Sequence, residues 1–448
     1  MSTNITEYDR MNIANVEYDD YTVYDAKRNH VVKYGPHRNK VLGTLVDVVD
    51  DKSTGLKMYV VKTDENHYSV LFQGSQAPDS VNHLPDAWKD WGGNDASLAS
   101  KIIFGGTGPT PQLEAASKAL NTTMAKYPNA SFDVYGHSLG SMCAQYAAVT
   151  STHSNQIKSV YAYEGPNIYS LLSQSERSQA LKMKNKIHNY IDRKDIVSLG
   201  YANRMAAVGH VRDVYSKDLG LDKVSQHLWG GYQWQKDGSL PLAPPDMNEM
   251  KNVLAYYRKT YPSMANTRAG RFVLDYIQSQ YCMDAFVSDT STLENDINTI
   301  HDDAVQLLQS KLALAITTMT TNLNVLNPDS INHELYQRGL TNKQALARLD
   351  HAYEVFKSAT TAVNQKSERL QEKIQQGIQH AMDTDTQLAD SVQKVMDKYY
   401  CDVVQPQIMR QQTQHRITAY LILNATTNIT PHGPTVTPLL RLSPFSAY

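Results

Sequence analysis

Five consecutive residues, Gly136-His137-Ser138-Leu139-Gly140, have the types and spacing that could do chemistry. They follow an apolar, strand-like run from Phe132 to Tyr135 and precede a small-residue, helix-like run from Ser141 to Val149. A strand that turns this sharply into a helix forces the residue at the turn into a strained backbone conformation, and a glycine two positions to either side leaves room for it. The Ser138 hydroxyl is then presented at the carboxyl edge of a sheet, above a helix N-terminus, where it can attack an acyl carbon. The plainer reading is an ordinary glycine-rich turn; here both flanks fit the nucleophile.

A serine hydroxyl is a poor nucleophile at neutral pH, so it needs a base and a group that orients the base. In α/β hydrolases the chain order is serine, then a carboxylate, then histidine. Glu164, Asp192 and Asp195 are the downstream acids at expected strand ends, and His153, His188, His210 and His227 are the downstream histidines. Their pattern leaves the choice open. Asp192 lies nearest its strand end, and His210 satisfies the order as well as His227 does.

The elements that must position these groups follow from periodicity. Val41 to Val49, Met58 to Val61 and Tyr68 to Phe72 read as strands, the first two separated by the Ser53-Thr54-Gly55 turn. Pro109 and Pro111 introduce a helix with Leu113, Ala116, Ala119 and Leu120 on one face. Strands at 132–135, 160–163 and 187–191 complete the series. Alternation of strand and helix predicts an α/β domain with a largely parallel sheet over residues 1–240. After the Pro241, Pro244, Pro245 linker, Asp246 followed by Glu249 is a helix start signal. Two long apolar series, Leu293 to Leu326 and Leu346 to Tyr399, keep helical spacing, with Asn327-Pro328-Asp329 between them. Residues 241–425 therefore read as an all-α, elongated hairpin or bundle, and 426–448, with four prolines, as a flexible tail.

Bulk properties narrow the function classes. A chain of 448 residues exceeds what one core of about 250–300 residues supports, so two domains are expected. With 43 basic against 45 acidic residues, nucleic acid is not expected as a partner. Cys143, Cys282 and Cys401 form neither a disulfide framework nor a zinc pattern. His301-Asp302-Asp303 and Asp383-Thr384-Asp385 read as solvated helix faces, so neither a metal nor a cofactor is implied. Asn121 and Asn129 sit in glycosylation-like triplets that carry no meaning without a secretory route. No run of about 18 apolar residues predicts a transmembrane helix. The polar first twenty residues hold no leader-like apolar core, so export, if it occurs, is expected without a cleaved leader.

At these residues the sequence resembles the class 3 (fungal-type) lipase family and its bacterial relatives, over roughly residues 40–240. Phe72-Gln73-Gly74-Ser75 is similar to the family's Phe-Arg-Gly-Ser/Thr. The Gly-His-Ser-Leu-Gly elbow follows. Arg193-Lys194-Asp195-Ile196-Val197 is similar to Asn-Asp-x-Val, which implies Asp195 as the acid. His227, followed by Tyr232 and Trp234, is similar to the family's histidine before a Tyr-Trp pair, which implies His227 as the base. Gln73 stands where arginine is usual, and Ser198 where proline is common. The resemblance implies an oxyanion hole from the backbone N–H of Leu139 and from Ser75, each such donor contributing about 2.7–4 kcal/mol to the barrier. The surroundings of His210 resemble a structural turn that precedes the base in this family. The long stretch from Ser75 to Ile102 reads as a lid, in which Trp88 and Trp91 either line an acyl groove or pack the loop onto the sheet.

The helical half suits partner binding better than catalysis. A lipase-like domain followed by such a region resembles bacterial type VII secretion lipases, whose C-terminal part looks like an LXG-type targeting domain in reversed order. That resemblance implies small helical chaperone-like partners and export of the chain as cargo. Three function classes stand: a lipase or phospholipase A-type esterase, another serine acyl hydrolase such as a thioesterase, and a helical adaptor carrying an inactive hydrolase domain.

Overall fold

The structure, a computed structural model, describes residues 5–74, 108–195, 197–198, 201, 204–220, 222–322, 328–339 and 341–406. Eight strands form one sheet in sequential order: β1 Val31–Tyr34, β2 Lys40–Asp51, β3 Leu56–Asp64, β4 His67–Phe72, β5 Ser131–His137, β6 Ile157–Tyr163, β7 Ile187–Ile191 and β8 His210–Asp213. Tight turns make β1 to β4 antiparallel, and the remaining four pairings are parallel. A parallel step needs a crossover, here supplied by α3 Pro111–Lys126, α4 Leu139–Val149 and α5 Gln174–Lys182. Two earlier helices, α1 Glu7–Ala14 and α2 Val23–Lys27, precede the sheet.

Strand alternation sends side chains to both faces, and both faces are covered. Met58, Val60, Phe72, Phe132 and Val134 pack under Leu113, Leu120 and Met124 of α3 and Met142, Cys143 and Ala147 of α4. Tyr59, Val61, Leu71, Tyr135, Tyr163 and Tyr190 point the other way. They are covered by Ile13, Ala14 and Val16 near the amino terminus and by Trp229, Tyr232 and Leu240. Met11, Ile13, Ala14 and Val16 therefore form part of the core, although the amino-terminal stretch reads simply as polar. Its helix is one of eight residues, held by a Thr6–Asp9 capping box, too short to show a period. β8 also escaped the pattern, because Val211 is the lone apolar residue in a four-residue edge strand.

The rest of the chain is helical: α6 Met247–Thr260, α7 Arg268–Asn322, α8 Pro328–Gln337, α9 Asn342–Thr384 and α10 Thr386–Tyr399. Asp246 caps α6 through Asn248 N–H, but Glu249 does not close a capping box; it accepts the Arg204 N–H instead, at 2.8 Å. α7 has 55 residues, roughly 80 Å of helix, and lies antiparallel to α9. Their seam is polar: Thr290 meets Ser367 at 2.9 Å, Thr361 meets Glu294 at 2.6 Å, and His301 stacks on Tyr353. The series expected as one helix from Leu346 to Tyr399 breaks at Asp385. That residue leaves helical geometry (φ −133°, ψ 93°) and its carboxylate takes the N–H groups of Gln387 and Leu388. Asp385 is thus a cap rather than part of a solvated face. α10 folds back so that Val392, Val395, Met396 and Tyr399 pack with Val253, Tyr257, Val273 and Tyr281. Among the described residues no helix is long and apolar enough to cross a membrane, and no group of three or more His, Cys, Asp or Glu could hold a metal ion. The tail from residue 426 lies outside the described residues.

Candidate active site

Ser138 ends β5 and serves as the N-cap of α4, with φ 56° and ψ −126°. A non-glycine residue rarely adopts this region, and holding one there costs on the order of 1–3 kcal/mol. Close packing enforces it. A Cβ at Gly136 would lie 2.2 Å from the Gly140 carbonyl oxygen, and one at Gly140 would lie 2.1 Å from the Phe72 carbonyl oxygen. Gly140→Ala would therefore have to push α4 off β4. It is expected to lower unfolding free energy by about 1–3 kcal/mol or more, measured by denaturant titration. A change below about 0.5 kcal/mol would mean the elbow has slack. Leu139 is the first residue of α4, so its N–H has no acceptor within the helix and stays available to a developing oxyanion. Ser75, Trp88 and Trp91 lie outside the described residues, as does the rest of the lid-like stretch.

His227 sits in a short helical turn, Lys223–Ser225, that widens over Gln226–Gly230. Its Nδ1 is 2.8 Å from Asp195 Oδ2, and the Asp195 side chain is fully buried. Because the carboxylate can only accept, Nδ1 carries the proton and Nε2 keeps its lone pair. Asp195 is itself fixed by Val197 N–H at 3.0 Å and Ser198 Oγ at 3.1 Å. Ser198 also lies 2.6 Å from Glu164, so the hydroxyl found where proline is common joins two carboxyls.

The other candidates are placed elsewhere. Asp192 is buried and accepts from Lys194 N–H, Ser216 Oγ and the Gln226 amide, so it holds the residue before His227 rather than the imidazole. Glu164 accepts the Asp192 N–H and the Tyr232 hydroxyl. Burial, aided by Asp195, pushes its carboxyl well above the usual range. His210 is turned to the helical half. Its Nε2 is 2.6 Å from Asp284, and Gln375 donates to its Nδ1 at 2.7 Å. Burial would raise the Asp284 carboxyl, but His210 and Arg204 outweigh that and hold it at about 2. His188 is partly buried, with its ring stacked on Tyr161.

Three residues that the sequence did not single out close the site from behind. Glu17 is buried, which pushes its carboxyl well above the usual range, and its oxygens accept the N–H of Gly74 at 3.1 Å and of His137 at 3.1 Å. The Gln73 amide, found where arginine is usual, reaches the Glu17 carbonyl at 2.8 Å. The Tyr18 hydroxyl is 2.5 Å from His137 Nδ1, and His137 Nε2 is 2.8 Å from the His227 carbonyl oxygen. A carbonyl only accepts, so His137 donates from Nε2 and accepts Tyr18 at Nδ1. Burial, and then the nearby His227, lower its pKa well below the ordinary value, so it is neutral. Trp229 completes the enclosure. It adopts φ 62° and packs on the His137 ring at 4.0 Å. No local signal marks Glu17 or Tyr18, since their partners lie 57 to 120 residues away.

Residues 107–240 match the family described as Mbeg1-like. No curated protein sequence matches the chain. Among solved structures, the chain is similar to a Rhizomucor miehei lipase propeptide complex at 15% identity, over 46% of this chain and 66% of that one, with a TM-score of 0.29. It thus spans just under two thirds of that lipase. A triacylglycerol lipase from Penicillium expansum is 14% identical over 46% of this chain and 76% of its own, with a TM-score of 0.27. The MDLA protein of Penicillium cyclopium, in a mutant form, is 15% identical over 54% and 85%, with a TM-score of 0.29.

Proposed function

We propose that the chain is a serine carboxylic ester hydrolase of the lipase or phospholipase A kind. Ser138 attacks the acyl carbon, His227 takes its proton and returns it to the leaving alcohol, and Asp195 holds the imidazole tautomer and stabilises the imidazolium. Water then releases the acyl group from Ser138 by the same base. Leu139 N–H, with Ser75 as the second donor, takes the oxyanion. The observation that carries this reading is a serine held at positive φ on a helix N-terminus, whose neighbour His137 bonds the main chain of His227 while His227 pairs with buried Asp195. Initial rates on short-chain esters, long-chain acylglycerols, phospholipids and acyl thioesters test it. Turnover of oxygen esters is expected; turnover of thioesters alone would move the chain to the thioesterase class, and turnover of none to an inactive adaptor.

The helical half supports a second role, docking of small helical chaperone-like proteins and type VII-like export of the chain with them. Phe286, Leu293, Ile300, Leu307 and Leu314 recur every seven residues on α7 and are 44–66% exposed. Phe356, Val363 and Leu370 repeat the spacing on α9 and are also exposed. The register set by Thr290 against Asn364 and Glu294 against Thr361 makes Phe286 about level with Leu370, Leu293 with Val363, and Ile300 with Phe356. At roughly 100° per residue, the α7 stripe lies opposite Asp284, Ser288 and Asn295, which meet the catalytic half. Apolar positions at a seven-residue period are what a further helix packs against in a coiled coil. Co-expression with small helical proteins encoded beside it is expected to give a stoichiometric complex by light scattering. Ile300→Glu with Phe356→Glu should abolish that complex and leave ester hydrolysis within about twofold. A wild-type chain that stays free of each neighbour would overturn the docking role.

A further inference from the structure

On the β4 side of β5 the hydrogen-bond ladder stops at Phe72 opposite Gly136. Beyond that point no strand among the described residues bonds the N–H groups of Gly74 and His137, and burying them unpaired would be costly. The turn Asn15–Tyr18 enters this gap. One carboxyl group, that of Glu17, takes both N–H groups, and the next residue, Tyr18, bonds His137 Nδ1. No side chain could stand at Gly74 instead: its Cβ would lie 2.7 Å from the His137 carbonyl oxygen and 2.9 Å from the Tyr18 hydroxyl.

We propose that Glu17 and Tyr18 are positioning residues for the ester hydrolysis, fastening the nucleophile elbow, the end of β4 and the main chain of the base into one unit. This rests on the serine hydrolase reading above. The connection has two arms. Glu17 joins His137, the residue before Ser138, to Gly74, the residue before Ser75. Tyr18, by donating to His137 Nδ1, obliges His137 to donate from Nε2 to the His227 carbonyl oxygen. Nucleophile and base come from segments far apart in sequence, and their mutual placement decides the rate. A misplacement of about 1 Å can cost about 100-fold in turnover. Neither residue touches the reacting atoms, so both act through the groups they hold.

The test compares Glu17→Ala, Glu17→Gln and Tyr18→Phe in the full chain, on a short-chain ester. Glu17→Ala is expected to lower kcat by about 10- to 100-fold with KM within about twofold, because binding survives while alignment is lost. Glu17→Gln keeps an acceptor oxygen and is expected to recover kcat to within about fivefold of wild type. Tyr18→Phe keeps the ring packing and is expected to lower kcat by about 5- to 10-fold. Nitrogen-15 spectra of labelled histidine supply a readout independent of turnover. Wild-type His137 should be the Nε2–H tautomer, and Tyr18→Phe should leave its Nδ1 free of a donor and shift that resonance. If Glu17→Ala does not fold, Glu17→Gln and Tyr18→Phe decide. Unchanged kcat in folded Glu17→Ala and Tyr18→Phe, or an unshifted His137 spectrum in Tyr18→Phe, would overturn the proposal. A wild-type chain that hydrolyses no ester would instead remove the enzymatic reading, while the histidine spectra still report whether Tyr18 sets the tautomer.

Discussion

Ser138→Ala is expected to lower kcat on acyl esters by about 10⁴-fold or more with little change in KM. The attacking oxygen is lost, and what remains is the oxyanion donor and substrate binding, which in serine hydrolases leave roughly 10³–10⁴-fold over water. The fold should survive the change. Alanine keeps a Cβ at the same φ of 56°, so it carries the same backbone strain as serine, and Ser138 is nearly fully buried by its neighbours rather than held by a side-chain cap. Ser138→Gly sharpens the result. Glycine enters this region without a steric penalty, so that variant should be inactive yet more stable than wild type by up to about 1–2 kcal/mol. Initial rates and thermal unfolding of the two variants measure both quantities. Ester turnover that persists in Ser138→Ala would end the assignment of the nucleophile.

Asp195→Asn should be the second largest loss, about 10³–10⁴-fold in kcat, with Asp192→Asn within about tenfold of wild type. The difference follows from which atoms each carboxylate meets. Val197 N–H donates to Asp195 Oδ1, so an asparagine there must place its oxygen at that position. Its amide NH₂ then faces His227 Nδ1, 2.8 Å away, where the carboxylate oxygen stood. Two donors cannot share that contact, so Nδ1 must give up its proton and Nε2 must carry it. The imidazole can no longer accept the serine proton. Asp192 instead meets Ser216, Lys194 and Gln226, so its change loosens the loop without altering the tautomer of His227. The same logic separates the histidines. His210→Ala should leave ester hydrolysis near wild type and destabilise the junction with α7 and α9, since Asp284, Gln371 and Gln375 are its partners. Equal losses in Asp195→Asn and Asp192→Asn would reject this pairing.

Much of the fold was legible because its signals are local. The β2 to β4 runs are apolar and β-branched and are bounded by turn residues, α3 carries proline at its first turn, and α7 and α9 keep their period for many turns. The elements that escaped have little length over which to show a period: α1, α2 and β1 near the amino terminus, α5, of nine residues, and β8, of four. The break at Asp385 escaped for another reason. The apolar spacing continues through it, and only the competition of a short carboxylate for the next helix's N–H groups ends α9 there.

The candidate site divides along the same line. Sequence alone determined that Ser138 stands between a strand and a helix with a glycine two positions to either side, because the sharp turn from strand to helix is shaped by neighbouring residues; that Gly140 tolerates no Cβ comes from its approach to Phe72 of β4. It also determined the helical spacing of the apolar residues along the long helices. Which of Asp195 and Asp192 meets the imidazole of His227, that His210 instead meets Asp284, and that Glu17 reaches Gly74 and His137 are matters of tertiary structure. Asp192 and Asp195 lie three residues apart with the same side chain, and which of them reaches an imidazole depends on how the loop after β7 turns. Glu17 is drawn in because two backbone N–H groups at the end of a strand pairing would otherwise be buried without a partner, a need that exists once β4 and β5 have come together.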